Sequence, residues 1–177
     1  MATFKDRMVS AAKLNVNLYE EVEADTSAMN QALLVVVLSS FAAGIGAFER
    51  GGITGILLGT ITALAGWFIW AYLTYIIGTK LLPEPQTSAT LGELLRTIGF
   101  SSSPGLIRIA GIIPGLTGIV FFIASVWMFV AMVIGVRQAL DYTSTLRAVG
   151  VCLIGWIVQI LLIALLLFLI GTPLRDI

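Results

Sequence analysis

Four long stretches without a single charge dominate this chain: Ala28 to Phe48, Ile53 to Thr79, about Gly115 to Val136, and Ala148 to Ile170. A helix needs about 20 apolar residues to cross roughly 30 Å of hydrocarbon, and each stretch is long enough. In lipid the backbone must satisfy its own hydrogen bonds, so apolar runs of this length read as helices. The expected fold class is therefore all-α, a polytopic transmembrane helical bundle. Composition agrees: 58% of residues are hydrophobic and 11% charged, against roughly 45–50% and 25% in soluble domains. Only "ERGG" (Glu49 to Gly52) separates the first two stretches, so they form a tight helical hairpin.

Other features exclude functions. Lys plus Arg equals Asp plus Glu, ten of each, and no basic patch invites nucleic acid. With no histidine, Ser-His and Cys-His dyads, HExxH zinc sites and His-ligated haem are ruled out. The lone Cys152 falls in an apolar run and reads as an inert core thiol. Asp141 is the only Asp between the first and last spans, so no intramembrane aspartate pair exists. There is no P-loop and no dinucleotide fingerprint. No cofactor, metal or catalytic residue is expected, and the chain is read as a non-enzyme. The first apolar run follows a charged segment rather than a short basic one, so it is expected to stay in the mature protein rather than act as a signal peptide.

Phe4 to Val22 mixes apolar positions with Lys5, Arg7, Lys13, Glu20 and Glu21. It reads as an amphipathic helix at the membrane surface, a solvated tail being the alternative. Residues 1–27 form this N-terminal segment, 28–170 the bundle and 171–177 a short tail. Asp25 to Ser27 offers caps for the first span. Pro83 to Pro85 is a turn, and Thr90 with Glu93 is a capping box that starts a short amphipathic helix.

The stretch "GFSSSPGLIRIAGIIPG" (Gly99 to Gly115) interrupts the apolar pattern. Ser103 suits an N-cap and Pro104 the first helical position, while Pro114 and Gly115 break or kink the chain before the next full span. An α-helix from Pro104 to Ile113 would be roughly 15 Å long, half a bilayer, whereas Pro104 to Val136 unbroken would reach about 50 Å. Thr90 to Ile113 is then either a broken third span, giving five crossings, or an interfacial helix, giving four. Five crossings place Lys5, Arg7, Lys13, Lys80, Arg96, Arg108, Arg137 and Arg147 on the N-terminal side against Arg50 and Arg175; four give seven to three. Both satisfy the positive-inside rule. Arg108 lies in this element and is expected to snorkel to the headgroups, a buried functional cation being the alternative.

Gly55, Gly59 and Ala63 are spaced by four on the second span, and Gly111 and Gly115 repeat the spacing. Such faces allow close helix contact, within the bundle or with a partner. Gln159, at the middle of the last span, is expected to hydrogen-bond across helices. Arg137 complements a helix C-terminus, with Asp141 placed to pair with it.

Three strings together resemble a known family: "LYEEVEADTSAMNQALLVVV", "LLRTIGFSSSPGLIRIAGIIPGL" and "VWMFVAMVIGVRQALDYTSTLRAVGV". In this order they are similar to the bacterial branch of the Yip family, multi-span proteins named for interaction with Ypt/Rab GTPases in eukaryotes. The resemblance implies five spans, the third broken, with a cytoplasmic N-terminus in a bacterial cytoplasmic membrane. It brings no catalytic residue. The long N-terminal region used in eukaryotes is here about 27 residues, and a bacterium has no Rab cycle, so that role is not carried over. The expected function is a membrane-organising scaffold or an accessory subunit, with membrane lipids and a membrane-protein partner or a second copy as its contacts. The alternative is a small transporter or lipid-handling protein working through Pro104 to Pro114 and Arg108.

Overall fold

The computed structural model describes residues 2–169. Helices make up the fold, with no strand among the described residues: α1 (Phe4–Ala12), α2 (Val16–Ala24), α3 (Met29–Gly46), α4 (Phe48–Ile76), α5 (Leu91–Phe100), a 3-10 helix (Ser103–Ile112), α6 (Thr117–Ala139) and α7 (Thr145–Leu169). Four of these helices are long and apolar enough to cross a membrane. The expected tail, 171–177, and Ile170 lie outside the described residues.

The N-terminal segment is two helices rather than one. Thr3 and Asp6 form a capping box that starts α1, and Asn15 caps α2. Between them Leu14 takes a positive φ of 61°, which no helix tolerates. These helices do not lie apart from the bundle. Ala11, Leu18, Tyr19 and Val22 are buried with Ala28, Ala32 and Val35 of the first span and Phe100 of α5. The Trp127 indole of α6 donates to the Ala12 carbonyl at 2.8 Å. Asp25 caps the turn into α3.

The α3–α4 hairpin turns at Ala47 to Gly52, where Gly52 adopts φ 54°, ψ −154°. Only glycine enters that region without strain. Midway along, the Ser40 hydroxyl donates to Thr60 at 3.2 Å, across the two antiparallel helices. At the far end, α4 loosens into a π-helical turn, Ile77–Leu81. The Tyr142 hydroxyl meets carbonyls there, donating to Gly78 at 2.9 Å and Leu82 at 2.7 Å. Gly78 also makes room for Leu140.

The interrupted stretch is a long 3-10 helix. Its rise of about 2.0 Å per residue gives roughly 20 Å for ten residues, more than an α-helix would. Its start is not capped by Ser103: Ser102 holds the cap position with no side-chain bond. Pro104 sits in the first turn, where its missing N–H costs nothing. Ile113 is extended at ψ 123°, the conformation favoured before a proline. Gly115 then turns the chain at φ 84°. Gly111 and Gly115 therefore do not form one packing face, because a turn separates them.

The two ends of the bundle are fixed by contacts. At one end Glu84, before α5, accepts from the Thr143 N–H and hydroxyl at 2.9 and 2.8 Å, in the α6–α7 loop. At the other end the Gly111 position faces the Gly46 carbonyl at the top of α3. The larger core lies at the first end, around Trp70, Leu94, Val136, Leu140 and Val151.

Candidate functional site

Three residues per turn put Ser102, Gly105, Arg108 and Gly111 on one face of the 3-10 helix. That face meets α3. A side chain at Gly105 would strike the Ser39 hydroxyl and the Arg108 guanidinium, and one at Gly46 would strike the Arg108 carbonyl. Glycine at both positions lets the two backbones come close.

Arg108 turns back along this seam instead of snorkelling outward. Its Nε donates to the Gly105 carbonyl at 3.0 Å. Its Nη2 donates to the Ser39 hydroxyl at 2.7 Å and towards the Ser39 carbonyl at 3.4 Å. Ser39 lies seven residues before the end of α3 at Gly46, so the guanidinium sits about 10 Å below that end. The Phe121 ring lies 6.0 Å from the guanidinium carbon, within reach of a cation–π contact. The ion pairs among the described residues are Arg7–Glu21, Arg7–Asp25 and Arg147–Glu84. Arg108 belongs to none of them.

The guanidinium borders an open groove of about 550 Å³ between α3, α4, α6, α7 and the 3-10 helix. Gly55, Gly59, Ala63 and Gln159 all line it. Among the described residues nothing lies within 4 Å of where a Cβ would sit on Gly55 or Gly59, so the stripe on α4 is left uncovered by them. Gln159 is partly buried, and no hydrogen bond of its amide is found among the described residues. The walls are mostly apolar, including Val36, Ile98, Met128 and Met132, with Ser39, Ser40 and Ser102 as hydroxyls. Trp70 also lines the groove, 8% exposed, and its indole nitrogen is buried without a partner. Ser103, 3% exposed, leaves its hydroxyl unpaired in the same way. Pro104 is buried, and Pro114 borders a smaller cavity beside the hairpin turn with Glu49 and Arg50.

The opposite end is a set of polar anchors. Arg7, 4% exposed, donates to Glu21 at 2.7 and 3.1 Å, to Asp25 at 2.7 Å and to Gln31 at 3.0 Å. It ties α1 to α2 and to α3. Arg96 of α5 donates to the last carbonyls of α2, at Val22 (2.8 Å) and Glu23. Arg137 does not pair with Asp141; it donates to the Tyr142 carbonyl at 3.2 Å and to Thr145 at 3.1 Å, while Asp141 takes φ 54° in the turn. Hydrogen bonds from Thr143 hold the Glu84 carboxyl down at about 2. Burial, with Asp141, Glu93 and Glu20 nearby, pushes the Glu23 carboxyl up to about 7.

The Yip1 domain matches residues 18–167, from α2 to the last helix. The chain belongs to the Yip1 domain family. No curated protein and no solved structure matches it. The Yip1 match takes in α2, the groove and Arg108, but stops short of α1 and the Arg7 clamp at its N-terminal side. Four apolar spanning helices and this membership make it an integral membrane protein that contacts lipid.

Sequence reasoning reached Arg108 but missed Ser39 and Gly105. A signal was present for both. Ser39 and its neighbour Ser40 are the only hydroxyls in α3, and Ser102, Gly105, Arg108 and Gly111 recur every three residues. That period belongs to a 3-10 helix, not to the α-helix assumed for the segment.

Proposed function

We propose that this Yip1-domain protein crosses the membrane five times and acts without catalysis, as a membrane-organising scaffold or accessory subunit that receives a guest within the bilayer plane. The N-terminus is cytoplasmic and the membrane is a bacterial cytoplasmic membrane in this reading. Five crossings are supported by direction. α4 runs away from the hairpin turn and α6 runs away from Gly111 to Gly115, which abuts that same end. Their far ends meet through Glu84 and Thr143. The chain between them must return, and α5 with the 3-10 helix is about 35 Å long if collinear.

The observation that carries the function is the groove of about 550 Å³ with its uncovered stripe at Gly55 and Gly59. Sites for small guests run to about 300–1,000 Å³, and close helix contact uses such small residues. Because nothing among the described residues opposes a side chain there, Gly55→Leu and Gly59→Leu test the groove with little disturbance to the fold. After mild-detergent purification, native mass spectrometry of wild type should show a stoichiometric protein guest that both variants lose. Equal retention by the variants overturns the groove as the docking face. A second reading, lipid handling, is favoured by one observation: a cation borders the groove with no carboxylate beside it.

A further inference from the structure

We propose that the groove is a binding site for an anionic phospholipid, with the Arg108 guanidinium as ligand to the headgroup phosphate. The proposal rests on the lipid-handling reading and not on the subunit reading.

A cation within a span is costly, and buried charges are ordinarily paired. Arg108 receives only neutral partners from the chain: a hydroxyl, two carbonyls and an aromatic face. These orient the guanidinium through Nε and Nη2 and leave Nη1 without a bond among the described residues. A guanidinium held by one edge presents the other for paired hydrogen bonds to a phosphate. The counter-charge is missing from the described chain, and the groove is where it can enter.

The shape of the groove favours a lipid over a free anion. A site for inorganic phosphate would surround it with polar donors. Here Val36, Ile98, Met128 and Met132 supply apolar walls suited to acyl chains. Gly105 is the residue that permits the arrangement, since any side chain there would displace the guanidinium from Ser39.

The test uses full-length protein, stripped of lipid, in neutral detergent. Phosphatidylglycerol, phosphatidylcholine, diacylglycerol of the same chains and inorganic phosphate are titrated separately, with bound mass read by native mass spectrometry. Wild type should hold one phosphatidylglycerol at least tenfold more tightly than diacylglycerol or phosphatidylcholine, and millimolar phosphate should not displace it. Arg108→Met should lose that tenfold preference, and Arg108→Lys should keep part of it. Equal binding of phosphatidylglycerol and diacylglycerol to wild type overturns the proposal without any variant, so misfolding of Arg108→Met cannot shelter it. Phosphate binding alone, with no chain dependence, also overturns it. Gly55 and Gly59 line the same groove, so the two readings are separated by the mass that wild type retains, a protein subunit or a phospholipid, and either can fail while the other stands.

Discussion

Two regions of this bundle use the same residue in opposite ways. Where α2, α5 and the lower part of α6 meet, glycines mark contact: a Cβ on Gly99 would lie 2.7 Å from the Ala32 Cβ, and one on Gly135 2.8 Å from the Ser101 hydroxyl. Along the upper part of α4, Gly55, Gly59 and Gly66 have nothing within 4 Å, and Ile53, Leu57 and Ile61 around them are 70%, 56% and 65% exposed. Both regions are apolar. What separates them is polar anchoring. Arg7, Arg96 and Glu84 pin the first region, and each meets backbone or side chains from another element. Below the hairpin turn with its Glu49 and Arg50, the charged side chain that borders the second is Arg108, and it is turned inward. In lipid, apolar surface gives helices no strong reason to leave the bilayer for one another. Hydrogen bonds and close backbone fit decide which parts close.

The largest effect should come from stripping the Arg7 clamp of its anions. The Arg7 side chain is 5% exposed, whereas Glu21 and Asp25 are 43% and 26% exposed. Removing one side of such a pair is costly in proportion to how deeply the other is buried. Glu21→Gln with Asp25→Asn strands the buried cation and should cost about 3 kcal/mol. Asparagine retains the cap on Ser27, so the loss reads on the charge. Arg7→Met leaves two carboxylates that water still reaches and should cost only about 1 kcal/mol. Thermal unfolding in detergent measures both. If Arg7→Met proves the worse of the two, the anchoring of the first region lies in the packing of the Arg7 stem rather than in its charge.

A paired glycine experiment addresses the comparison directly and should show a smaller effect. Gly99→Ala forces α5 away from α3 and should destabilise by about 1–3 kcal/mol. Gly59→Ala meets no neighbour and should be neutral or stabilising by up to about 1 kcal/mol, since alanine is the better helix former. Similar losses at both sites would mean that the groove is closed by something in the purified protein.

The legible part of this fold was the part set by length and charge. Four apolar runs gave four helices, and their ends fell within a few residues of the expected ones. The capping box at Thr90 and Glu93 started α5 as expected. Departures came where local pattern competes with tertiary contact. Residues 4–22 carry an amphipathic pattern but contain Asn15, an N-cap residue in mid-run, and the helix divides there. Arg108 was placed by its cost in lipid, which favours the surface, but Ser39 and the Gly105 carbonyl offered hydrogen bonds that no single-helix view contains. The stripe at Gly55 and Gly59 was visible in the spacing, while its being uncovered depends on where α7 lies.

The smallest effect concerns two carboxyls of the anchored region that should respond to pH in opposite directions. Glu84 is held at about 2, below the usual 4.5. A depressed carboxyl adds stability above 4.5, and that contribution is lost as pH falls towards 2. Glu23 is raised from 4.5 to about 7. There the folded state keeps a proton that the unfolded state has released, so stability falls as pH rises from 4.5 through 7 and is level above. Its surroundings account for the sign: burial disfavours the charge, Asp141, Glu93 and Glu20 oppose it, and Arg96 offsets only part of this. Glu84→Gln should flatten the acid side of the curve and lower the midpoint at pH 7. Glu23→Gln should flatten the slope between 4.5 and 7 and raise the midpoint at pH 8. Neither slope should involve the groove, where the ionised group among the described lining residues is a guanidinium that keeps its charge throughout this range. A phosphatidylglycerol preference that followed the Glu23 titration would link the two regions, and the anchored end would then govern how far the open one admits its guest.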